Sequence, residues 1–459
     1  MKFVFWNYHN DHFYSKKIKE CHFYNDTIRG KNMKTLIKNA YILDMVGEKP
    51  NIQKNDILIE DNIIKDIEKD IEAEADEKIN AKNMLIMPGL VNTHTHLAMS
   101  IFRGYKDDRK LMDWLENAIF PVEDKLQPDD IYWNSYLSCL EMIKSGTTTC
   151  NDMYFGMNKV IEAIEATGLR AVVAWCLTDD SIRDKIERTR EYAKIYNNRE
   201  NSKITVFTSP HAPYSCNPDT IKLCVDLAKE LNTGLHIHLA ETQNEVVTIR
   251  DRYGKTATEY LSDLDVFDVP VVLAHGIYIS ESDIEILKQH NIRGGISHNP
   301  ISNCKLSSGI CDVVNLRKNG INVGLGTDGI GSTTTLDMFE EMKTAAYLQK
   351  INTMEPTSIN AYDILKMATI EGAKVLGLDN QIGTIEVGKK ADLIFIKTDK
   401  IHLCPENDIC TNIVYSANGA DVDSVMIDGK MIMQNRKMRN ISEREAMKQV
   451  KRIARRLCK

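Results

Sequence analysis

Histidines are the residues of this chain whose spacing first suggests chemistry. The sequence contains twelve of them, and four form two His-x-His pairs, His94 with His96 and His236 with His238. Because side chains alternate along a strand, each pair would place two imidazoles on one face, as a metal ion requires of a rigid support. The first pair ends the run PGLVNTHTH, in which Pro-Gly precedes an apolar segment.

Two carboxylates occur beside comparable runs. Glu241 follows His238 by three residues, and Asp328 lies in the run GTDG. Two or three imidazoles with a carboxylate, together with a separate glutamate, predict a hydrolytic metal site that keeps one position open for water. The segment Thr149–Asp152 offers no lysine as a bridge between two metals, which favours a single ion.

The elements that would position these residues lie between residues 89 and 385. Short apolar or β-branched runs alternate there with segments of helical period. The predicted strands are Gly89–His94, Thr147–Asp152, Arg170–Leu177, Ile204–Ser209, Gly234–Leu239, Val271–His275, Arg293–His298 and Asn322–Asp328. Eight strands and their helices over about 300 residues predict an α/β fold, a (β/α)8 TIM barrel, with a doubly wound sheet as the alternative.

The barrel prediction explains where the histidines fall. In a (β/α)8 barrel the active site lies at the C-terminal ends of the strands. The histidines near predicted strand ends are His94, His96, His211, His238, His275 and His298. One inference about the fold therefore gathers scattered residues into one site.

Strand-rich segments flank the barrel on both sides. Residues 33–88 contain short apolar runs, and strand patterns return after residue 386, before a final helix that opens with the capping box Ser442-x-x-Glu445. We expect the segments 33–88 and 386–459 to form one discontinuous sheet domain beside the barrel at 89–385. Residues 1–32, which are rich in aromatic and basic residues, are predicted to be an extension outside the fold.

Composition narrows the class of partner. Hydrophobic residues make up 43% of the 459 residues and charged residues 27%, as in ordinary globular proteins, and no apolar run approaches the ~18 residues of a membrane span. The net charge of −7, without a basic stripe, argues against nucleic acid. Eleven scattered cysteines without CxxC spacing predict a reduced, cytoplasmic chain. We expect a small-molecule ligand and leave the oligomeric state open, a homo-oligomer included.

Two glycine-rich runs resemble nucleotide motifs. The run GLGTDG matches GxGxxG, but it follows the eighth strand of a repeating unit and its aspartate belongs to the predicted metal site. The run GTIEVGKK at 383–390 is close to a P-loop, but it lacks the Ser/Thr and leads into a strand. Neither run predicts a phosphate site.

Taken in order, PGLVNTHTH, HLAET, AHG, SHNP and GTDG resemble the amidohydrolase superfamily, and more narrowly the 5′-methylthioadenosine/S-adenosylhomocysteine deaminases. The resemblance covers residues 33–459. It implies a TIM barrel with a composite β-sandwich and one zinc ion per subunit, with Fe²⁺ or Mn²⁺ as alternatives. It also implies hydrolytic deamination of an adenine nucleoside at its 6-amino group, giving the hypoxanthine product and ammonia.

The resemblance also implies residue roles. The metal ligands would be His94, His96, His238 and Asp328. Glu241, His275 and Asp328 would act in catalysis: Glu241 would carry a proton from water to N1 of the purine, His275 would orient the water, and Asp328 would help protonate the departing amine. The substrate contacts would be Trp114, Glu123, Arg183, His211 and Glu241, with Glu123 accepting hydrogen bonds from the ribose hydroxyls.

One position departs from the family pattern. Trp175 stands where an arginine that grips the homocysteine carboxylate would be expected, and Arg183 is the candidate replacement. This difference leaves methylthioadenosine and adenosine more open as substrates. Two other functions stay as alternatives: another amidohydrolase on the same site, such as a guanine or pterin deaminase or a triazine chlorohydrolase, and a non-catalytic scaffold.

Overall fold

The computed structural model describes residues 33–199 and 201–458. The predicted extension at residues 1–32 lies outside the described residues. The strands are β1 (Lys34–Leu43), β2 (Ile52–Glu60), β3 (Ile63–Glu68), β4 (Glu77–Asn80), β5 (Met84–Pro88), β6 (Leu90–His96), β7 (Thr147–Tyr154), β8 (Arg170–Trp175), β9 (Ile204–Phe207), β10 (Leu235–Leu239), β11 (Val271–His275), β12 (Gly294–His298), β13 (Val323–Leu325), β14 (Asp328–Gly329), β15 (Leu393–Lys397), β16 (Val422–Ile427), β17 (Lys430–Gln434) and β18 (Lys437–Met438).

Helices connect and cover the strands. The α-helices are α1 (Leu111–Trp114), α2 (Phe120–Glu123), α3 (Pro128–Lys144), α4 (Met157–Thr167), α5 (Ile182–Tyr196), α6 (Pro218–Leu231), α7 (Gln243–Tyr253), α8 (Ala257–Asp263), α9 (Glu281–Gln289), α10 (Pro300–Lys305), α11 (Val313–Lys318), α12 (Ile330–Thr333), α13 (Met338–Thr353), α14 (Ala361–Met367), α15 (Ile370–Val375), α16 (Ile409–Tyr415) and α17 (Glu443–Leu457). Short 3₁₀ segments occur at Leu97–Phe102, Val266–Asp268, Ile401–Leu403 and Gly419–Asp421, and a π turn at Leu115–Ile119 joins α1 to α2. None of the described helices has the length and apolarity needed to cross a bilayer.

Strands β6 to β14 are parallel and pair in chain order. Their hydrogen bonds give the orders β14-β6-β7-β8-β9 and β10-β11-β12-β13, and a bridge between Thr208 and Leu235 links the two groups. All eight predicted strands are present, but the eighth is divided into β13 and β14 around Gly326 and Thr327. The division accompanies a left-handed backbone at Asp328, where φ is 64°.

A second sheet draws its strands from both ends of the chain. Its order is β18-β17-β16-β15-β5-β1-β2-β3, with β4 pairing to β1. Alternating isoleucines of β1 and β2, such as Ile37 and Ile57, pack with Phe395 of β15 in a buried cluster of their own. The last helix, α17, begins where predicted, because Ser442 accepts a hydrogen bond from the Glu445 amide.

Strands β6 to β14 close into a ring of parallel strands. A buried ion pair joins this ring to the second sheet. Arg170, the first residue of β8, donates from Nε and Nη2 to Asp392 at 2.7 and 3.0 Å and from Nη2 to Asp428 at 3.2 Å. The Arg170 and Asp392 side chains are 4% and 2% exposed. Buried charges of this kind depend on one another, because either one alone would remain desolvated.

Replacing Arg170 with methionine is expected to lower the free energy of unfolding by about 3–5 kcal/mol, because Asp392 loses its counter-charge while buried. The measurement is urea unfolding followed by circular dichroism. Arg439→Met, which removes an exposed pair with Glu77, is the control and should cost at most ~1 kcal/mol. Equal losses in the two variants would contradict the importance of the buried pair.

Candidate active site

The C-terminal ends of the ring strands bring the predicted polar side chains together. His94 and His96 end β6, His238 lies near the end of β10, His275 ends β11 and Asp328 begins β14. His275 and Asp328 have left-handed backbones, with φ of 78° and 64°. Such conformations are strained for residues other than glycine and cluster at functional sites.

Ligand atoms of these residues converge on one point. The Nε2 atoms of His94 and His96 lie 3.3 and 3.2 Å from Oδ1 of Asp328. Ligand atoms of His94, His238 and His275 also lie within 4.8 Å of one another. The fully buried Nε2 of His94 has no hydrogen-bond partner among the described residues. Imidazole lone pairs with a carboxylate are the donor set that suits a divalent zinc ion, so these residues fit such a metal.

In two of these rings, the nitrogen that points away from the centre of the site, Nδ1, is hydrogen-bonded to a backbone carbonyl oxygen. Nδ1 of His96 lies 2.5 Å from the Met153 carbonyl oxygen, and Nδ1 of His238 lies 2.7 Å from that of His211. A carbonyl only accepts, so Nδ1 of each ring carries a proton, and each ring in its neutral form keeps the Nε2 lone pair for the centre of the site.

Asp328 is held as a carboxylate. Ser302 and Ser332 donate hydroxyl hydrogen bonds to its Oδ2 at 2.6 and 3.0 Å, and the Gly329 amide donates to Oδ1 at 2.7 Å. Burial by itself would raise the pKa of Asp328, but the neighbouring imidazoles of His94 and His96 hold that pKa well below its usual range. The negative charge therefore persists at neutral pH.

Glu241 and His275 face each other across the site. Oε2 of Glu241 lies 3.9 Å from Nε2 of His275, whose Nδ1 is 2.9 Å from Oδ1 of Asn303. Glu245 accepts hydrogen bonds from the backbone amides of Ala240 and Glu241 and so fixes the turn after β10. Burial raises the pKa of Glu241, which makes it a better proton acceptor than an exposed carboxylate.

A cavity of about 330 Å³ opens above this cluster. Eight of the predicted site residues line it: His96, Trp114, Glu123, His211, His238, Glu241, His275 and Asp328. Other parts of its wall are apolar and include Met99, Ile119 and Phe155. His94 is completely buried and is absent from the lining. The cavity therefore joins the ligand cluster to a chamber whose wall carries both apolar and polar side chains.

Burial shifts the pKa of two polar side chains in the cavity wall. The Tyr154 hydroxyl donates to Oε1 of Glu123 at 2.5 Å, and burial raises the pKa of Glu123 to about 7. His211 bonds through Nδ1 to the Ser215 hydroxyl at 2.7 Å, and burial lowers its pKa to about 4. At neutral pH His211 is therefore an uncharged hydrogen-bonding group.

Arg183 does not line the cavity, contrary to the expectation from sequence. It is exposed near the start of α5, whereas Lys185, two residues later, lines the cavity. Successive helical residues are about 100° apart around the axis, so residues two apart point in nearly opposite directions. When Lys185 faces the cavity, Arg183 faces solvent.

His298 also lies apart from the cavity. Ser297, its neighbour on β12, points into the ring and contacts the Thr93 hydroxyl at 2.6 Å. Alternation turns His298 to the opposite face, and it is absent from the cavity lining. The side chain is fully buried, and neither ring nitrogen has a hydrogen-bond partner among the described residues.

The sequence analysis did not identify Ser302, Ser332 or Tyr154, although they hold predicted site residues in place. Ser302 and Tyr154 come from segments far along the chain from their partners Asp328 and Glu123. Serine and tyrosine are common residues, and nothing in their local spacing distinguished these from others. Only the tertiary contacts reveal Ser302 and Tyr154, whereas Ser332 lies four residues after Asp328.

This chain is similar to known proteins over most of its length. The family model "Amidohydrolase family" matches residues 85–432. A 5-methylthioadenosine/S-adenosylhomocysteine deaminase of Syntrophomonas wolfei is 43% identical over 430 residues, covering 93% of this chain and 99% of that protein. A 5′-deoxyadenosine deaminase of Methanosarcina mazei is 41% identical over 423 residues, covering 91% and 97%.

A solved structure is similar over nearly the same length. It is an adenosine deaminase from Xanthomonas campestris with bound zinc, which superposes with a TM-score of 0.88 at 28% identity, covering 93% of this chain and 98% of that one. The family match includes strands β6 to β14 and all of the clustered histidines. This chain belongs to the amidohydrolase family.

Proposed function

We propose that the chain is a metal-dependent deaminase that hydrolyses the 6-amino group of an adenine nucleoside and releases ammonia. The observation that carries the proposal is the presence of a half-buried carboxylate, Glu123, in the same cavity as the histidine cluster. A carboxylate can accept hydrogen bonds from both hydroxyls of a ribose. The names of two relatives add support, since those proteins are named as deaminases of 5-methylthioadenosine, S-adenosylhomocysteine and 5′-deoxyadenosine.

The proposed metal is one zinc ion per subunit, with Fe²⁺ or Mn²⁺ as alternatives. His94, His96, His238 and Asp328 would hold it, and their donor set and the unpartnered Nε2 of His94 support this assignment. When bound, the metal would supply Lewis acidity that lowers the pKa of a water molecule to about 7.

The remaining chemistry is assigned to the side chains of the cavity. Glu241 takes a proton from the attacking water and delivers it to N1 of the purine, while the water oxygen bonds to C6. His275, 3.9 Å from Glu241, orients that water. Asp328 takes the remaining proton from the oxygen bonded to C6 and passes it to the amine, the bond from C6 to the amino nitrogen breaks, and ammonia leaves with the hypoxanthine product.

The architecture is proposed to follow the same family plan. Residues 89–385 form the (β/α)8 barrel that carries the site, which the circular pairing of the parallel strands supports. Residues 33–88 and 386–459 form the composite β-sandwich, which the sheet built from both ends supports. A cytoplasmic location is proposed as well, since ten cysteines among the described residues are unpaired.

The deciding experiment for the nucleoside assignment is Glu123→Ala. Loss of the two hydrogen bonds that Glu123 would accept from the ribose hydroxyls, at about 1.5 kcal/mol or more each, is expected to lower kcat/KM for nucleosides by at least roughly 100-fold. Steady-state ammonia release on adenosine and on the free base adenine is the measurement. Glu116→Ala, an exposed glutamate of the preceding turn, is the control. Unchanged kcat/KM for nucleosides in Glu123→Ala would favour the other amidohydrolase chemistries.

Lys185 is proposed to contact an anionic group of the substrate, at the end distant from the purine. It lines the cavity beside Trp175 and Cys176, and no hydrogen bond or ion pair joins its ammonium group to another described residue. Lys185→Met is expected to lower kcat/KM about 10-fold for S-adenosylhomocysteine, because that substrate carries a carboxylate. Methylthioadenosine lacks the carboxylate and should change by less than about 2-fold. Equal losses on the two substrates would contradict this role.

A further inference from the structure

His236 is a buried imidazole that contacts one of the proposed metal ligands. It lies on β10, two residues before His238, and its side chain is completely buried. Its Nε2 lies 2.9 Å from Nδ1 of His94. His94 therefore differs from His96 and His238, whose Nδ1 atoms face backbone carbonyl oxygens.

The difference matters because an imidazole can donate or accept. A neutral ring carries a single N–H, so one of the two facing nitrogens must donate and the other accept. If His236 donates, the proton of His94 sits on Nε2 and blocks the lone pair that points towards Asp328. If His236 accepts, the proton of His94 sits on Nδ1 and Nε2 is free to bind a cation.

In the second arrangement, only one nitrogen of the His236 ring can carry its proton. As an acceptor through Nε2 it must carry its own proton on Nδ1, and Nδ1 has no hydrogen-bond partner among the described residues. A buried N–H without a partner costs about 1–3 kcal/mol. The hydrogen bond between His236 Nε2 and His94 is the only one that this side chain makes among the described residues.

We propose that His236 is a positioning residue that selects the metal-binding tautomer of His94. The inference rests on the proposed function only in taking His94 as a metal ligand. Residues that accept the outer N–H of a ligating histidine typically contribute 10–100-fold to metal affinity. The same order of effect is expected here.

The test is zinc affinity, measured on the full chain after removal of metal, by titration of zinc against a chelator of known affinity. His236→Leu removes the acceptor and is expected to weaken zinc binding about 10–100-fold. His236→Gln, whose amide oxygen can accept from His94, should stay within about 3-fold of the unsubstituted chain. His298→Leu is the matched control, since it removes another fully buried histidine, one that has no bond to a ligand.

A second measurement needs no substitution. Side-chain ¹⁵N spectra of the zinc-loaded chain, labelled on histidine, should show His236 protonated on Nδ1 and not on Nε2. Zinc affinity of His236→Leu equal to that of the unsubstituted chain, equal weakening in the Leu and Gln variants, or an Nε2 proton on His236 in the zinc-loaded chain would each overturn the proposal. Failure of the unsubstituted chain itself to bind zinc would instead contradict the proposed metal site, so the two failures are distinguishable.

Discussion

Replacing Glu241 with glutamine is expected to lower kcat on methylthioadenosine or adenosine by about 10²–10⁴-fold, the usual contribution of a positioned proton-transfer group. The amide keeps the size of the side chain but cannot take the proton from water and deliver it to N1. Burial raises the pKa of Glu241, which brings the carboxylate closer to the proton affinity that such a transfer needs.

The measurement is steady-state ammonia release, with metal content determined on the same samples. Glu285→Gln, an exposed position on α9, serves as the control and should keep the full kcat. The Glu241 variant should keep its metal, because Glu241 is not among the proposed ligands. A variant with full metal content and undiminished kcat would exclude Glu241 from proton transfer.

Asp328→Ala is expected to have a still larger effect, at least about 10⁴-fold on kcat/KM. The substitution removes a ligand and the proposed proton donor to the leaving amine in one step, and its charge is the one that faces the Nε2 atoms of His94 and His96. The purified variant should contain much less than one metal ion per chain.

Metal removal from the unsubstituted chain should reproduce the loss of activity and should be reversed by adding zinc, whereas Asp328→Ala should not recover. The control is Asp251→Asn, an exposed aspartate on α7, which should keep both metal and activity. A chain that contained no stoichiometric metal and gained no activity from zinc, iron or manganese would instead support a non-catalytic scaffold.

The sequence predicted the site well where one rule of the fold governed the position. His94, His96, His238, His275 and Asp328 lie at the ends of short strands, and the parallel order of those strands brings their C-terminal ends to one edge. Local pattern was therefore sufficient to gather residues that are more than 200 positions apart in the chain.

The sequence did not predict which side chains of a helix face the cavity, because that depends on where the helix begins. It also did not predict contacts between residues that are distant in the chain. Lys185 lines the cavity and Arg183 does not, because α5 begins just after Ser181, whose left-handed backbone sets the direction of the helix. The contacts of Ser302 with Asp328 and of His236 with His94 are made between elements that only the folded chain brings together. The break in the eighth strand likewise reflects hydrogen bonds from the Thr327 amide to His94 and Asn92.

The most direct test of the proposed function is an ammonia-release assay of the zinc-loaded chain on methylthioadenosine, S-adenosylhomocysteine, adenosine and guanine, each at the same concentration. The cavity, with Glu123 placed for a ribose, predicts ammonia from the adenine nucleosides and none from guanine. Turnover of guanine alone would contradict the nucleoside assignment while leaving the chain in its family.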